Sequence, residues 1–361
     1  MSVSRSLQLF LGALAVLLCT GAAAQSEDDK KCLACHAQEG LTKTFGKDET
    51  LSLRVNGEEV AKSIHGPLGC AACHSDVDLA KHPGETKTYG STREFSLAKA
   101  AACSQCHDDA AKQYQESVHA QRIKAGNPLA PTCTGCHGAH TVSPRTAYET
   151  CVGCHSVQLE AHRQWLPNTA QHHEVVSCAA CHAPASARMV DLRLYDRAGR
   201  AWVAEKPGEP WFEKLAKAVD ADENGLDAEE LQKLLKQIAG EGAAQKTFRG
   251  RIELRSNVEA HRLSGKAQAI RACGNCHQAG AEPFQKVTVS VTGADGRAVR
   301  HDAQRQVLHA PQAIAALPEF YAIGATRSPL LDVLFVLALL SGIAVPVGHM
   351  TVRRIFRKYF S

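Results

Sequence analysis

Two long apolar runs bracket the chain, and the pattern between them is much more broken. Near the start, Arg5 precedes an apolar stretch from Leu7 to Leu18, followed by Gly21-Ala22-Ala23-Ala24 and the polar Gln25-Ser26-Glu27. A short basic start, an apolar stretch and an A-x-A site predict a secretory signal peptide over residues 1–24, cleaved after Ala24. Near the end, Leu330 to Val347 is apolar except for Asp332, and Arg353, Arg354, Arg357 and Lys358 follow. That run is long enough to cross a bilayer, and its basic flank predicts the cytoplasmic side. The expected topology is a single-pass inner-membrane protein. It has a transmembrane helix over 329–350, a cytoplasmic tail over 351–361, and its bulk in the periplasm.

Shorter patterns lie between these runs. Alternating Val287, Val289 and Val291, followed by Gly293-Ala294-Asp295-Gly296, predict a β-hairpin over Lys286–Arg300. Leu51–Val60, with Asn56-Gly57 at its centre, predicts a second hairpin with a primed turn. Segments Phe95–Gln113, Tyr148–Arg163, Trp211–Val219 and Ala228–Ile238 read as helices. Regular structure is otherwise expected to be sparse.

Cysteine spacing changes the picture. Fourteen of the fifteen cysteines fall into seven copies of C-x-x-C-H. These are Cys32, Cys35 and His36; Cys70, Cys73 and His74; Cys103, Cys106 and His107; Cys133, Cys136 and His137; Cys151, Cys154 and His155; Cys178, Cys181 and His182; and Cys273, Cys276 and His277. Thiols three positions apart can bond the vinyl groups of one porphyrin while the next histidine reaches its iron, which is the attachment signature of c-type haem. Zinc ribbons and thioredoxin-like sites use C-x-x-C without requiring that histidine every time. The expected cofactor is therefore haem c, seven covalent copies. Cys19 falls inside the predicted signal peptide.

Composition fits a chain whose bulk comes partly from porphyrin. Aromatic residues are only 5% of the sequence, thin for a protein that buries a large core. The formal charge of +4 counts no cofactor, and haem propionates offset it, so no nucleic-acid partner is expected.

Histidines outnumber the motifs. After the seven motif histidines there remain His65, His82, His119, His140, His162, His172, His173, His261, His301, His309 and His349, while Met189 and Met350 are the only sulfur donors left in the mature chain. Bis-histidine ligation is the economical reading, and the scarcity of methionine ligands predicts low potentials. The expected distal ligands are His65, His82, His119, His140, His162, His172 and His261. His173 is an alternative to His172, and His309 to His82. Ser63-Ile64-His65 matches Ser117-Val118-His119, and Glu160-Ala161-His162 matches Glu259-Ala260-His261. His140 stands too close to His137 to reach the same iron and is expected on a neighbouring one.

Six motifs lie between Cys32 and His182, and about ninety residues separate them from Cys273. The expected organisation is a hexahaem region over 25–185, a helical insertion over 186–255 and a monohaem region with a hairpin over 256–328. The insertion contains Asp220-Ala221-Asp222-Glu223-Asn224-Gly225, which begins like an EF-hand loop, with oxygen donors at positions one, three and five and glycine at six. Glu230 falls one position early. Asp220, Asp222, Asn224 and Glu230 are candidate calcium ligands, and an acidic turn that caps the following helix is the alternative.

Ser117-Val118-His119 with Cys133-Thr134-Gly135-Cys136-His137-Gly138-Ala139-His140, and His162 through Trp165-Leu166-Pro167-Asn168 to His172 and Cys178, resemble periplasmic multihaem cytochromes c. The closest likeness is to the seven-haem, membrane-anchored subunits of bacterial menaquinol oxidoreductase complexes. That resemblance implies short helices and loops wrapped around haems, small β-hairpins and one C-terminal transmembrane helix. It also implies a membrane cytochrome b or other quinol-oxidising partner, periplasmic electron carriers as acceptors, and contact with membrane lipid. The expected role is that of an electron-transfer subunit of such a complex rather than a catalyst by itself. The alternative is a multihaem oxidoreductase acting on a small nitrogen or sulfur compound, which needs an iron with an open position.

Overall fold

The computed structural model describes residues 26–84, 87–142, 147–157, 159–206, 208–239, 246–309 and 329–359. The predicted signal peptide and Cys19 lie outside the described residues. Packing divides the chain into two units, residues 1–112 with 119–144 and residues 113–118 with 145–361. Four C-x-x-C-H motifs fall in the first unit and three in the second.

The first unit is built from short helices and one small hairpin. The helices are Glu27–His36, Gly57–Lys62, Cys70–Cys73, Thr92–Cys103, Asp108–Gln115, Val118–Lys124 and Cys133–His137, the fifth and sixth crossing the boundary between units. Strands β1 (Thr42–Thr44) and β2 (Thr50–Ser52) pair antiparallel. The hairpin expected around Asn56-Gly57 is not formed. Asn56 has φ −82° where a primed turn needs a positive value, and its side chain accepts the N–H groups of Glu58 and Glu59 at 3.1 and 3.4 Å. Asn followed by acidic residues in the first turn is an N-cap, and here the cap prevails over the turn. Ser91 caps Thr92–Cys103 in the same way, accepting from Glu94 N–H. The buried apolar side chains described in this unit are few, Phe45, Ala120 and Ala130. Such a core is too small to hold a unit of this length by itself.

The second unit has helices Ala147–His155, Leu159–His162, Thr169–Val175 and Cys178–His182, followed by a five-stranded mixed sheet. Its central strand is β3 (Arg188–Asp196). Strand β5 (Lys246–Leu254) runs antiparallel to it over the full length, β6 (Val287–Thr292) runs parallel to it, and the two-residue β4 (Ala201–Trp202) joins its C-terminal end. Strand β7 (Ala298–Ala303) pairs with β6 through the predicted hairpin. Val190, Leu192, Leu194, Phe248, Ile252, Val287, Val289 and Val291 face one side and are nearly inaccessible to solvent. Against them pack Phe212 and Ala216 of the helix Phe212–Val219, and Leu231 and Leu234 of the helix Ala228–Ala239, with Leu226 and Phe284. Both helices start and end within a residue or so of expectation.

Strands β3 and β5 are not foreseen by the hydrophobic pattern. Their second face carries Asp191, Arg193, Arg249, Arg251 and Glu253, so each reads as a mixed charged segment until a distant partner covers it. Asp191 accepts from Thr288 and Ser290, both at 2.9 Å, and Arg249 lies 3.7 Å over the Tyr195 ring. Met189 is buried in β3 with its sulfur 3.8 Å from Thr288 Oγ1, which occupies it in sheet packing.

The helix Pro329–Tyr359 follows. Residues 333–358 are long and apolar enough to cross a membrane, and none of the apolar stretch is buried against protein.

Candidate haem site

Each motif sits on or at the end of a short helix, and the seventh on a single 3-10 turn, Cys273–Asn275. One turn of helix places residues i and i+3 on one face, so the paired thiols project together and the histidine follows at i+4. The motif cysteines are free thiols here, standing where thioether sulfurs would be once haem is attached.

Thiols of consecutive motifs come together in pairs. Burial, the Asp29 carboxylate and the Cys32 thiol push the Cys70 thiol up to about 12. The Cys103 thiol donates to Cys133, which raises Cys103 and lowers Cys133 to about 7. The same contact from Cys151 lowers Cys178 to about 7. Burial raises Cys181 to about 11, with Cys276 close enough to add to it. These interactions bring attachment thiols of neighbouring motifs near one another.

The histidines are paired as well. Ring centroids lie 6.0 Å apart for His36 and His82, 6.2 Å for His74 and His140, and 5.9 Å for His107 and His65. In the second unit the separations are 6.3 Å for His182 and His162 and 5.9 Å for His277 and His172. An iron between two imidazoles, with metal–nitrogen bonds of about 2 Å and about 1 Å more to each ring centre, gives about 6 Å. The spacing fits a haem iron in each gap. Neither member of a pair comes from the same motif as the other.

Several rings are also fixed in the tautomer that a metal needs. His36 Nδ1 donates to Leu53 O at 2.9 Å, His182 Nδ1 to Ser264 O at 3.3 Å, His172 Nδ1 to Asn168 O at 3.2 Å and His261 Nδ1 to Val258 O at 3.0 Å. A proton held on Nδ1 leaves the Nε2 lone pair for iron. Burial lowers the pKa of His74, His140 and His182, which favours the neutral ligating form. Beside His74, the Lys99 ammonium pairs with Asp76 at 2.6 Å.

The remaining histidines have varied surroundings. His173 lies 5.3 Å from His162 and 6.2 Å from the Tyr148 ring. His119 stands in the helix Val118–Lys124. His309 has a buried Nδ1 with no hydrogen-bond partner. His301 is bound to Asp220 at 2.7 Å. Among the calcium candidates, oxygens of Asp220, Asp222 and Glu230 lie within 4.8 Å of one another, whereas the Asn224 amide is engaged by Asp222 and Gln304.

One residue that positions a motif escaped the sequence reading. Asp29, only 8% exposed, bonds to the Cys70 backbone. The signal that could have revealed it is the spacing Ser26-x-x-Asp29, a capping box at the start of the first motif helix.

Residues 102–183 match the family model described as cytochrome c554 and c-prime. The match supports a c-type cytochrome. The matched segment contains four of the seven motifs, from Cys103 to His182, and the match supports covalently bound haem c and electron transfer. No curated protein and no solved structure matches the chain.

Proposed function

We propose that the protein is a seven-haem c-type cytochrome that conducts electrons from a quinol-oxidising membrane partner to periplasmic carriers. The observation that carries this reading is the placing of five motif histidines opposite a second histidine at ring-centre separations of about 6 Å, in a chain whose consecutive attachment thiols also interact. Cysteines of neighbouring motifs would hold successive haems near one another along the chain. When bound, haem supplies reversible one-electron exchange at iron, and everything else is the work of the chain.

In this reading His36, His74, His107, His182 and His277 would each hold an iron together with a second histidine: His82, His140, His65, His162 and His172 respectively. The basis is the spacing of about 6 Å in every pair. His119 and His261 would supply the remaining distal ligands. The thin core of the first unit, Phe45, Ala120 and Ala130 among the described residues, would be completed by porphyrin. The exposed apolar helix 333–358 holds the haem chain at the inner membrane, with the bulk in the periplasm and the basic tail in the cytoplasm.

Haem titration and electron paramagnetic resonance on purified protein test the proposal together. Seven covalent haems per chain, all low-spin, are the expected result. Five or fewer haems in fully matured material would overturn the count, and a full equivalent of high-spin iron would favour an oxidoreductase acting at an open site.

A further inference from the structure

We infer that the loop Asp220–Glu230 is a divalent-cation site, a contracted EF-hand-like loop that takes calcium and is braced by strand β7. Oxygens of Asp220, Asp222 and Glu230 converge within 4.8 Å although the loop is one residue short of the usual length. The early position of Glu230 therefore does not remove it from the group.

Helix capping explains part of this arrangement. Asp227 Oδ1 accepts the N–H groups of Glu229 and Glu230, and Glu230 Oε2 accepts Asp227 N–H at 3.0 Å. Capping does not explain Asp220. That residue is 3% exposed, and its Oδ2 accepts from Gly225 N–H at 3.2 Å and from His301 Nε2 at 2.7 Å. Its Oδ1 is buried with no partner at all. A buried carboxylate oxygen left bare costs free energy, and more so beside two other carboxylates. A hard cation bound through oxygen removes both costs.

The loop is also held in advance of binding. Leu226, fully buried, donates to Asp302 O at 3.0 Å and accepts from Gln304 N–H at 2.9 Å. Gly225, at φ +93°, leaves only 3.4 Å between a notional Cβ and the Asp302 backbone. Strand β7 thus fixes the turn between Asp222 and Glu230, and converging carboxylate oxygens suit a hard cation such as calcium, which accepts irregular oxygen coordination more readily than magnesium does.

The test is calcium binding to the purified holoprotein after chelation, followed by calorimetry and thermal melting. One equivalent of calcium should bind with a Kd on the order of 10⁻⁴ M, and a tenfold excess over Kd should raise Tm by about 2–4 °C. Glu230→Gln and Asp222→Asn should each weaken binding at least tenfold while the haem spectrum stays that of the parent, which reports an intact fold. Absence of saturable binding at millimolar calcium would overturn the inference, as would binding that neither substitution alters. Haem content enters neither readout, so failure here leaves the electron-transfer proposal standing.

Discussion

Asp29 Oδ1 accepts the backbone N–H of Cys70 at 2.7 Å, joining the first haem motif helix to the second across 41 residues of sequence. The helix Cys70–Cys73 has glycine at its N-cap and no side-chain cap of its own, so the carboxylate of a distant residue does that work. Gly69 is required beside it. Its φ is +75°, and a Cβ there would stand 3.2 Å from both Asp29 oxygens. Ser26 fixes the other side of the same carboxylate, donating its N–H to Oδ2 at 3.2 Å.

The bond to Cys70, and then that to Ser26, hold the Asp29 pKa at about 2, below its ordinary 3.8. A lowered carboxylate pKa contributes stability above the unfolded value and loses it as pH falls through the folded value. The parent protein should therefore lose stability between about pH 4 and pH 2 in part through Asp29. Asp29→Asn should lose less than the parent over that interval, and Asp29→Ala should cost about 1–3 kcal/mol at neutral pH. Thermal melts across the pH range measure both. Equal pH dependence in parent and Asp29→Asn would remove the charge from the argument.

The sheet core of the second unit should behave as an ordinary protein core, independent of porphyrin packing. Phe248 is fully buried among Leu194, Phe212 and their neighbours. Phe248→Ala should destabilise the protein by about 3–5 kcal/mol. Leu129→Ala, at a side chain 87% exposed, should change stability by less than about 0.5 kcal/mol. Denaturant melts followed by far-ultraviolet circular dichroism give the comparison, and a cost at Phe248 below about 1 kcal/mol would mean the sheet core is not cooperative with the measured transition.

What the sequence reveals here is what is local. Five consecutive residues define each haem motif, the β6–β7 hairpin is an alternation closed by Gly293 and Gly296, and the two helices around Asp220–Glu230 carry their own periodicity. Strand β3 was hidden because Arg188 pairs with Leu254 and Asp196 with Lys246, partners some fifty residues away or more, and its charged face is satisfied only after pairing. Histidine pairing was partly hidden for the same reason. Nothing in the string says that His74 lies against His140 rather than a nearer histidine. Asn56-Gly57 shows the converse error, a local signal with two meanings, decided by the acidic residues that follow.

His140 offers the sharpest test of ligation. Its ring faces His74 at 6.2 Å with an interplanar angle of 26°, and burial lowers the pKa of both, favouring the neutral form. On the proposed ligation, His140→Ala opens one position and should convert one haem equivalent to high spin. His140→Met should instead keep that haem low-spin and raise its potential, because thioether sulfur favours the reduced iron. Paramagnetic resonance and a potentiometric titration distinguish these outcomes. An unchanged spectrum in both variants would show that His140 is not a ligand.

On the proposed function, the C-terminal helix holds the haem chain beside a quinol-oxidising partner. Its apolar stretch is wholly unburied, so removing it should not expose a core. A chain ending before Pro329 should be soluble, retain its haems and exchange electrons with small soluble mediators at the parental rate. In membranes containing a quinol-oxidising partner the same chain should be reduced far more slowly. A tether confines the protein near its partner at an effective concentration in the millimolar range, and at micromolar protein the loss is about a thousandfold in encounter. Restoring the rate by raising the concentration of the truncated chain would separate tethering from any direct role of the helix in docking. Equal quinol-dependent reduction of truncated and full-length protein at matched low concentration would show that the helix does not serve electron delivery, and the quinol link would fall with it.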